Sequence, residues 1–144
     1  MYVPYYPQRD VWLKKGGDAS RFPDRHRIFT AVHELGAVGR LHICGNTTHL
    51  LADMASSGAD IIDLDWMVDL GQAAELYGDR ISFCGNFDPV NVMLRGTPEK
   101  VSQAVRDCAI LAGRRCFSAA GCEIPDATPS INLLAQFQTL SELV

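Results

Sequence analysis

The sequence has no excess of positive charge. Its 13 Lys and Arg stand against 17 Asp and Glu, a formal net charge of −4, and no Lys/Arg cluster lies beside an aromatic platform. A polyanion would meet no attractive field, so nucleic acid is not an expected partner. Also missing is any apolar run near the ~20 residues that span a bilayer. The opening Met1-Tyr2-Val3-Pro4-Tyr5-Tyr6-Pro7 has neither the apolar core nor the small-residue cleavage site of a secretory signal. The expectation is a cytoplasmic protein with no membrane association. The five cysteines, Cys44, Cys84, Cys108, Cys116 and Cys122, lack regular spacing and contain no Cys-x-x-Cys pair. An odd, irregular set argues against a disulfide framework and a zinc ribbon, and for a reducing compartment that leaves thiols free for metal or redox chemistry.

What is present suits one globular domain: 144 residues, 47% hydrophobic and 21% charged, enough to bury a core. Residues 1–24 hold Pro4, Pro7, Pro23, three tyrosines and the Gly16-Gly17 pair without helical or strand periodicity, and read as an arm or connection. The domain proper is residues 25–144. Helical spacing begins after Pro23, with Ile28, Phe29, Val32, Leu35 and Val38 on one stripe and Gly36 and Gly39 at the exit. Four strand–helix units follow. Residues 40–44 lead to a helix over 49–56, and residues 61–66 to a helix over 68–77. Residues 81–87 pass through Asp88-Pro89 into a short helical stretch. The next helix has Thr97 as its cap, Pro98 at its first position and Glu99 in its first turn, and runs to about Ala112. Residues 115–119 form the fourth strand, and residues 130–143 the last helix.

Strands alternating with helices of this length indicate a parallel sheet with right-handed crossovers. Polar residues gather where each strand ends: His42, Cys44 and Asn46, then Asp63 and Asp65, then Asn86 and Asp88, then Cys122 and Glu123. A (β/α)₈ TIM barrel carries its active site at that rim. Such a barrel usually needs ~250 residues and eight strands, so four βα units amount to half of one.

Residues two apart in a strand share a face, which projects His42 and Cys44 together. Imidazole nitrogen and thiolate sulfur are the donors zinc prefers, and a catalytic zinc site typically offers three protein ligands and one open position. Cys122, at the end of the fourth strand, would face the first strand only if the sheet curls as a barrel does. A His-x-Cys pair alone fits a core position equally well, because cysteine is among the most buried residue types. Other rim residues have ordinary readings too. Asp88-Pro89 makes a common turn into a helix, Cys84 fits a core strand position, and His26, His33 and His49 suit surface or capping sites. Glu123 follows a candidate ligand and suits a supporting hydrogen bond, while Arg114 and Arg115 fall at the opposite rim.

The segments His42-Ile43-Cys44-Gly45-Asn46, Ile62-Asp63-Leu64-Asp65-Trp66, Gly85-Asn86-Phe87-Asp88-Pro89 and Gly121-Cys122-Glu123-Ile124-Pro125 resemble the uroporphyrinogen decarboxylase superfamily in wording and in order. The likeness runs from about Arg25 to the end and implies the C-terminal half of a (β/α)₈ barrel. Within the superfamily, the methylcobalamin:coenzyme M methyltransferases carry a His-x-Cys and a later Cys as zinc ligands, which maps those roles onto His42, Cys44 and Cys122. The resemblance further implies a carboxylate that completes the zinc shell in the absence of substrate. Asp65 is the candidate, although Asp65-Trp66 also fits a structural strand end. Asn86 and Asp88 become candidates for positioning substrate or cofactor.

The implied cofactors are zinc and methylcobalamin presented by a corrinoid protein, with a thiol or tetrahydrofolate as the small-molecule methyl acceptor. Two thiolates would cancel the charge of Zn²⁺ beside a neutral His42, so an acceptor sulfur bound there loses its proton yet stays nucleophilic. A half-barrel exposes strand edges that proteins normally cover. Either a second copy, giving a homodimer, or a separate N-terminal half-barrel is therefore expected. Two alternatives remain at this stage. One is decarboxylase-like activity in tetrapyrrole biosynthesis, although the decarboxylases use no metal and draw substrate-binding residues from an N-terminal half not found here. The other is a non-catalytic subunit that binds zinc or a corrinoid protein.

Overall fold

The computed structural model of the protein describes residues 22–143. The expected arm, residues 1–24, lies outside them except for its last three positions, which open the first helix. Helix α1 (Phe22–Glu34) buries Phe29 and Val32 and leaves Ile28 exposed, while Leu35 and Val38 of the same apolar set fall beyond its end and are exposed too. The Asp60 carboxylate ties its exit to the second strand, accepting from Gly39 N–H at 2.7 Å and lying 2.8 Å from His33 Nε2.

Strands β1 (Arg40–His42), β2 (Ile61–Asp63), β3 (Ser82–Cys84) and β4 (Cys116–Phe117) pair in chain order, every pair parallel. Between them run α2 (Leu51–Ala55), entered by a 3₁₀ turn at Thr48–Leu50, then α3 (Leu70–Tyr77), then a π-helical turn (Pro89–Leu94) followed by α4 (Pro98–Ala112). Helix α5 (Ser130–Leu143) closes the order. Four parallel βα units laid down in sequence order are half of a (β/α)₈ barrel, as the sequence leads one to expect.

Register sorts the strand residues into two faces. Leu41, Ile62 and Phe83 are partners across the sheet, all buried, and pack with Met54, Ala73, Val101 and Val105 of the helices. On the opposite face His42, Asp63, Cys84 and Phe117 are partners in the same way. Helix α4 forms where its signals place it: the Thr97 hydroxyl accepts from Lys100 N–H, Pro98 opens the helix, and Val101, Val105 and Cys108 form the buried stripe. Helix α5 differs. Its buried stripe is Asn132, Ala135 and Thr139, while Ile131, Leu134 and Phe137 face outward, Phe137 being 68% exposed. No helix among the described residues is long and apolar enough to cross a membrane.

The sheet is curved, and its rim shows this. A Cβ on Gly121 would lie 2.3 Å from Trp66 N and 2.9 Å from Asp65 C, so the chain beyond β4 touches the chain beyond β2 although β3 lies between them. In a flat sheet those chains would be about 10 Å apart. Gly85, at φ +116°, meets the same crowding, since a Cβ there would lie 2.5 Å from Leu64 O. Only glycine allows main chains this close.

Asn132 fastens α5 to this frame. It is 1% exposed, and its Nδ2 donates to Met93 O at 2.8 Å and to Gly96 O at 2.9 Å, at the end of the π-helical turn. Asn132→Ala would strand two carbonyls, and should lower stability by about 2 kcal/mol. The expected readout is a lower urea midpoint with an unchanged m value.

Candidate metal centre

The curl brings three donors to one place. Cys44 Sγ lies 3.4 Å from Cys122 Sγ across 78 residues of chain, and His42 Nε2 lies 2.9 Å from Cys44 Sγ. One ligand atom from each of the three residues falls within 4.8 Å of the other two. Cys44 and Cys122 lie just past the outermost strands of the sheet, β1 and β4, which three steps of about 4.8 Å would separate by roughly 14 Å were the sheet flat. All three side chains are half-buried, so the cluster is enclosed and still reachable.

The donors have a shared electrostatic problem. The Cys44 thiol is pushed up to about 12, first by burial, then by its hydrogen bond with Cys122 and by the charges of Cys122, Asp65 and Asp63. The Cys44 thiol, crowded by a second sulfur and two carboxylates, resists becoming a thiolate on its own, and a divalent cation is the partner that would relieve it. Softness and number of donors both fit zinc.

Asp65 is 4% exposed, and main-chain amides hold its carboxylate: Oδ2 accepts from Gly45 N–H at 2.7 Å and Oδ1 from Met67 N–H at 3.4 Å. It lies beside Cys44 and outside the three-donor group. Asn86 donates from Nδ2 to Asp65 O at 2.8 Å and to Val68 O at 2.7 Å, bracing the loop that carries Asp65. Asp88 caps the π-helical turn, with Oδ1 accepting from Val90 and Asn91 N–H and Oδ2 from Asn91 Nδ2. Burial alone would raise its pKa, but those donors hold it below the usual carboxylate range. Cys84 is buried, with its thiol pushed up to about 11 by burial and the Asp63 charge, and sits apart from the cluster.

Asp63 is a rim residue whose part the sequence does not reveal. It is the register partner of His42, 9% exposed, with Oδ2 3.2 Å from His42 Nδ1 and Oδ1 accepting from Arg40 Nε at 2.7 Å. Burial would raise this carboxyl. The contacts with His42 and Arg40 outweigh that and hold it low. Strand alternation puts Asp63 on one face, but only the pairing register says which residue it faces.

A methylcobamide:CoM methyltransferase, MtbA, of Methanosarcina mazei is 40% identical over 111 residues, covering 77% of this chain and 32% of that protein. A uroporphyrinogen decarboxylase of Parasynechococcus marenigrum is 38% identical over 100 residues, covering 69% of this chain and 28% of the relative. The chain thus spans about a third of the length of these curated relatives. A solved methyltransferase structure from Methanosarcina mazei superposes with a TM-score of 0.73 at 24% identity, over 88% of this chain and 38% of that one, and shares its fold. The sequence pattern of the uroporphyrinogen decarboxylase (URO-D) family matches residues 21–143, and the chain belongs to that family.

Proposed function

We propose that this chain provides the zinc-binding half of an enzyme that moves a methyl group from a methylated corrinoid protein to a thiol or tetrahydrofolate acceptor. The observation that carries this reading is the cluster of His42, Cys44 and Cys122 donors within 4.8 Å, in a chain 40% identical to a protein named a methylcobamide:CoM methyltransferase. Zinc bound there would lower the pKa of an acceptor thiol and keep its sulfur nucleophilic. The protein's part is to fix that sulfur. His42 reaches the centre from β1, Cys44 from the rim just past it and Cys122 from the rim beyond β4, and the acceptor would take the position these three leave. The two thiolates balance the cation's charge, so the arriving thiolate is held without being strongly neutralised.

Asp65 is the carboxylate we assign to the remaining position until the acceptor arrives. Its present grip on Gly45 and Met67 amides keeps it beside Cys44. Asn86 fixes the loop from behind, and Asp88 holds the next rim turn where substrate would approach. The chain acts in the cytoplasm on this reading. On this reading a second copy or a separate half-barrel completes eight strands, and the exposed Phe137, Leu134 and Ile131 of α5 and Phe117 of the inner face are apolar surface it would cover. A metal-free decarboxylase is the second reading, favoured by relatives carrying that name.

Two measurements test this. Purified protein should hold one zinc ion per chain and demethylate methylcobalamin with a thiol acceptor, and Cys122→Ala should lose both properties while keeping its far-ultraviolet circular dichroism. Metal-free wild-type protein would return the reading to the decarboxylase. The second measurement uses the raised Cys44 thiol. A proton on that sulfur competes with the cation, so apparent zinc affinity should climb with pH, by about tenfold per unit across the neutral range for that proton alone. Chelator competition at several pH values reads the slope, and a flat profile contradicts thiolate ligation.

A further inference from the structure

Beneath the donor cluster lies a second row of polar side chains on the same face of the sheet. Arg40 and His42 are two apart on β1, and Asp63 on β2 is the direct partner of His42. Arg40 Nε donates to Asp63 Oδ1 at 2.7 Å, and Arg40 Nη2 donates to Cys84 Sγ at 3.4 Å. The guanidinium therefore clamps the carboxylate from one side and leaves Oδ2 directed at His42 Nδ1, 3.2 Å away. That nitrogen is buried and has no aligned hydrogen bond, so no other acceptor competes for it. The other ring nitrogen, Nε2, points to Cys44.

We propose that Asp63, clamped by Arg40, is a positioning residue for the metal centre: it accepts the His42 Nδ1 proton and thereby fixes the tautomer and ring plane that present the Nε2 lone pair to the cation. This inference rests on the zinc reading above and adds the residues that prepare its one nitrogen ligand. Neutral imidazole has one proton to place. With it on Nε2, His42 would turn an N–H toward the cation and could not bind. A carboxylate at Nδ1 removes that alternative and makes the ring a better donor. Arg40 contributes by holding the Asp63 carboxylate from one side and keeping its other oxygen aimed at His42. Asp63 itself stands outside the three-donor group, and its two oxygens lie against Arg40 and His42.

The test compares zinc dissociation constants, by competition with a chromophoric chelator, and the visible d–d spectrum of cobalt-substituted full-length chain. Asp63→Ala should weaken zinc binding about 10- to 100-fold and shift the cobalt bands. Asp63→Asn, whose amide oxygen still accepts from Nδ1, should lose less, and it carries the test if the alanine variant fails to fold. Arg40→Gln should move both readouts in the same direction, by less than Asp63→Ala. If both Asp63 variants show wild-type zinc affinity and an unshifted cobalt spectrum with only a lower unfolding midpoint, the Arg40–Asp63 pair is structural and the proposal fails. Cys122→Ser is the control. If it retains zinc as well as the wild type does, the three-donor centre itself is wrong, an outcome distinct from failure at Asp63.

Discussion

Curvature of a four-stranded parallel sheet is the constraint on which the site depends. Cys44 and Cys122 belong to opposite margins of that sheet, and a flat arrangement would leave their sulfurs far beyond the reach of a common ion. Instead the chain past β4 lies directly on the chain past β2, main chain against main chain, with Gly121 at the contact. The helices hold this bend from outside through one continuous apolar layer, in which Leu41, Ile62 and Phe83 meet Met54, Ala73, Val101 and Val105. The bend then determines the spacing of the donors.

The two faces of the sheet divide the work. Toward the helices the strand side chains Leu41, Ile62 and Phe83 are apolar and buried, and burial of that layer drives the fold. Toward the barrel interior the same strands carry Arg40, His42, Asp63 and Cys84, an arrangement of opposite charges and hydrogen bonds that would be costly if any member were left alone. Placing the polar row where two strands pair directly lets Asp63 meet both Arg40 and His42 without leaving its own strand.

Much of the fold is legible in the residues. Helix α4 follows from Thr97, Pro98 and Glu99 at its start and from Val101, Val105 and Cys108 along its face, all of them local signals. The parallel order follows from the alternation of elements. Strand lengths are less legible: the apolar runs suggest five to seven residues, whereas the ladders stop after two or three. The rim side chains explain the difference. Asp65 takes the amide of Gly45, and Asn86 takes the carbonyls of Asp65 and Val68, so side chains satisfy groups that a longer ladder would have used. The three donors His42, Cys44 and Cys122, which the structure brings within 4.8 Å, can be picked out by motif spacing and family resemblance. The service of Asp63 to His42 cannot, because a strand's partner depends on register, which a single sequence does not encode locally. The outward apolar face of α5 shows only once Asn132, Ala135 and Thr139 are seen to point inward.

The contact at Gly121 also limits which residue the chain can carry there. Any side chain would set its first carbon 2.3 Å from Trp66 N and 2.9 Å from Asp65 C, so the margins of β2 and β4 would have to part to admit it. Cys122 is the next residue, and its sulfur stands 3.4 Å from that of Cys44. A single methyl group at position 121 would therefore disturb the donor cluster without touching any of its atoms.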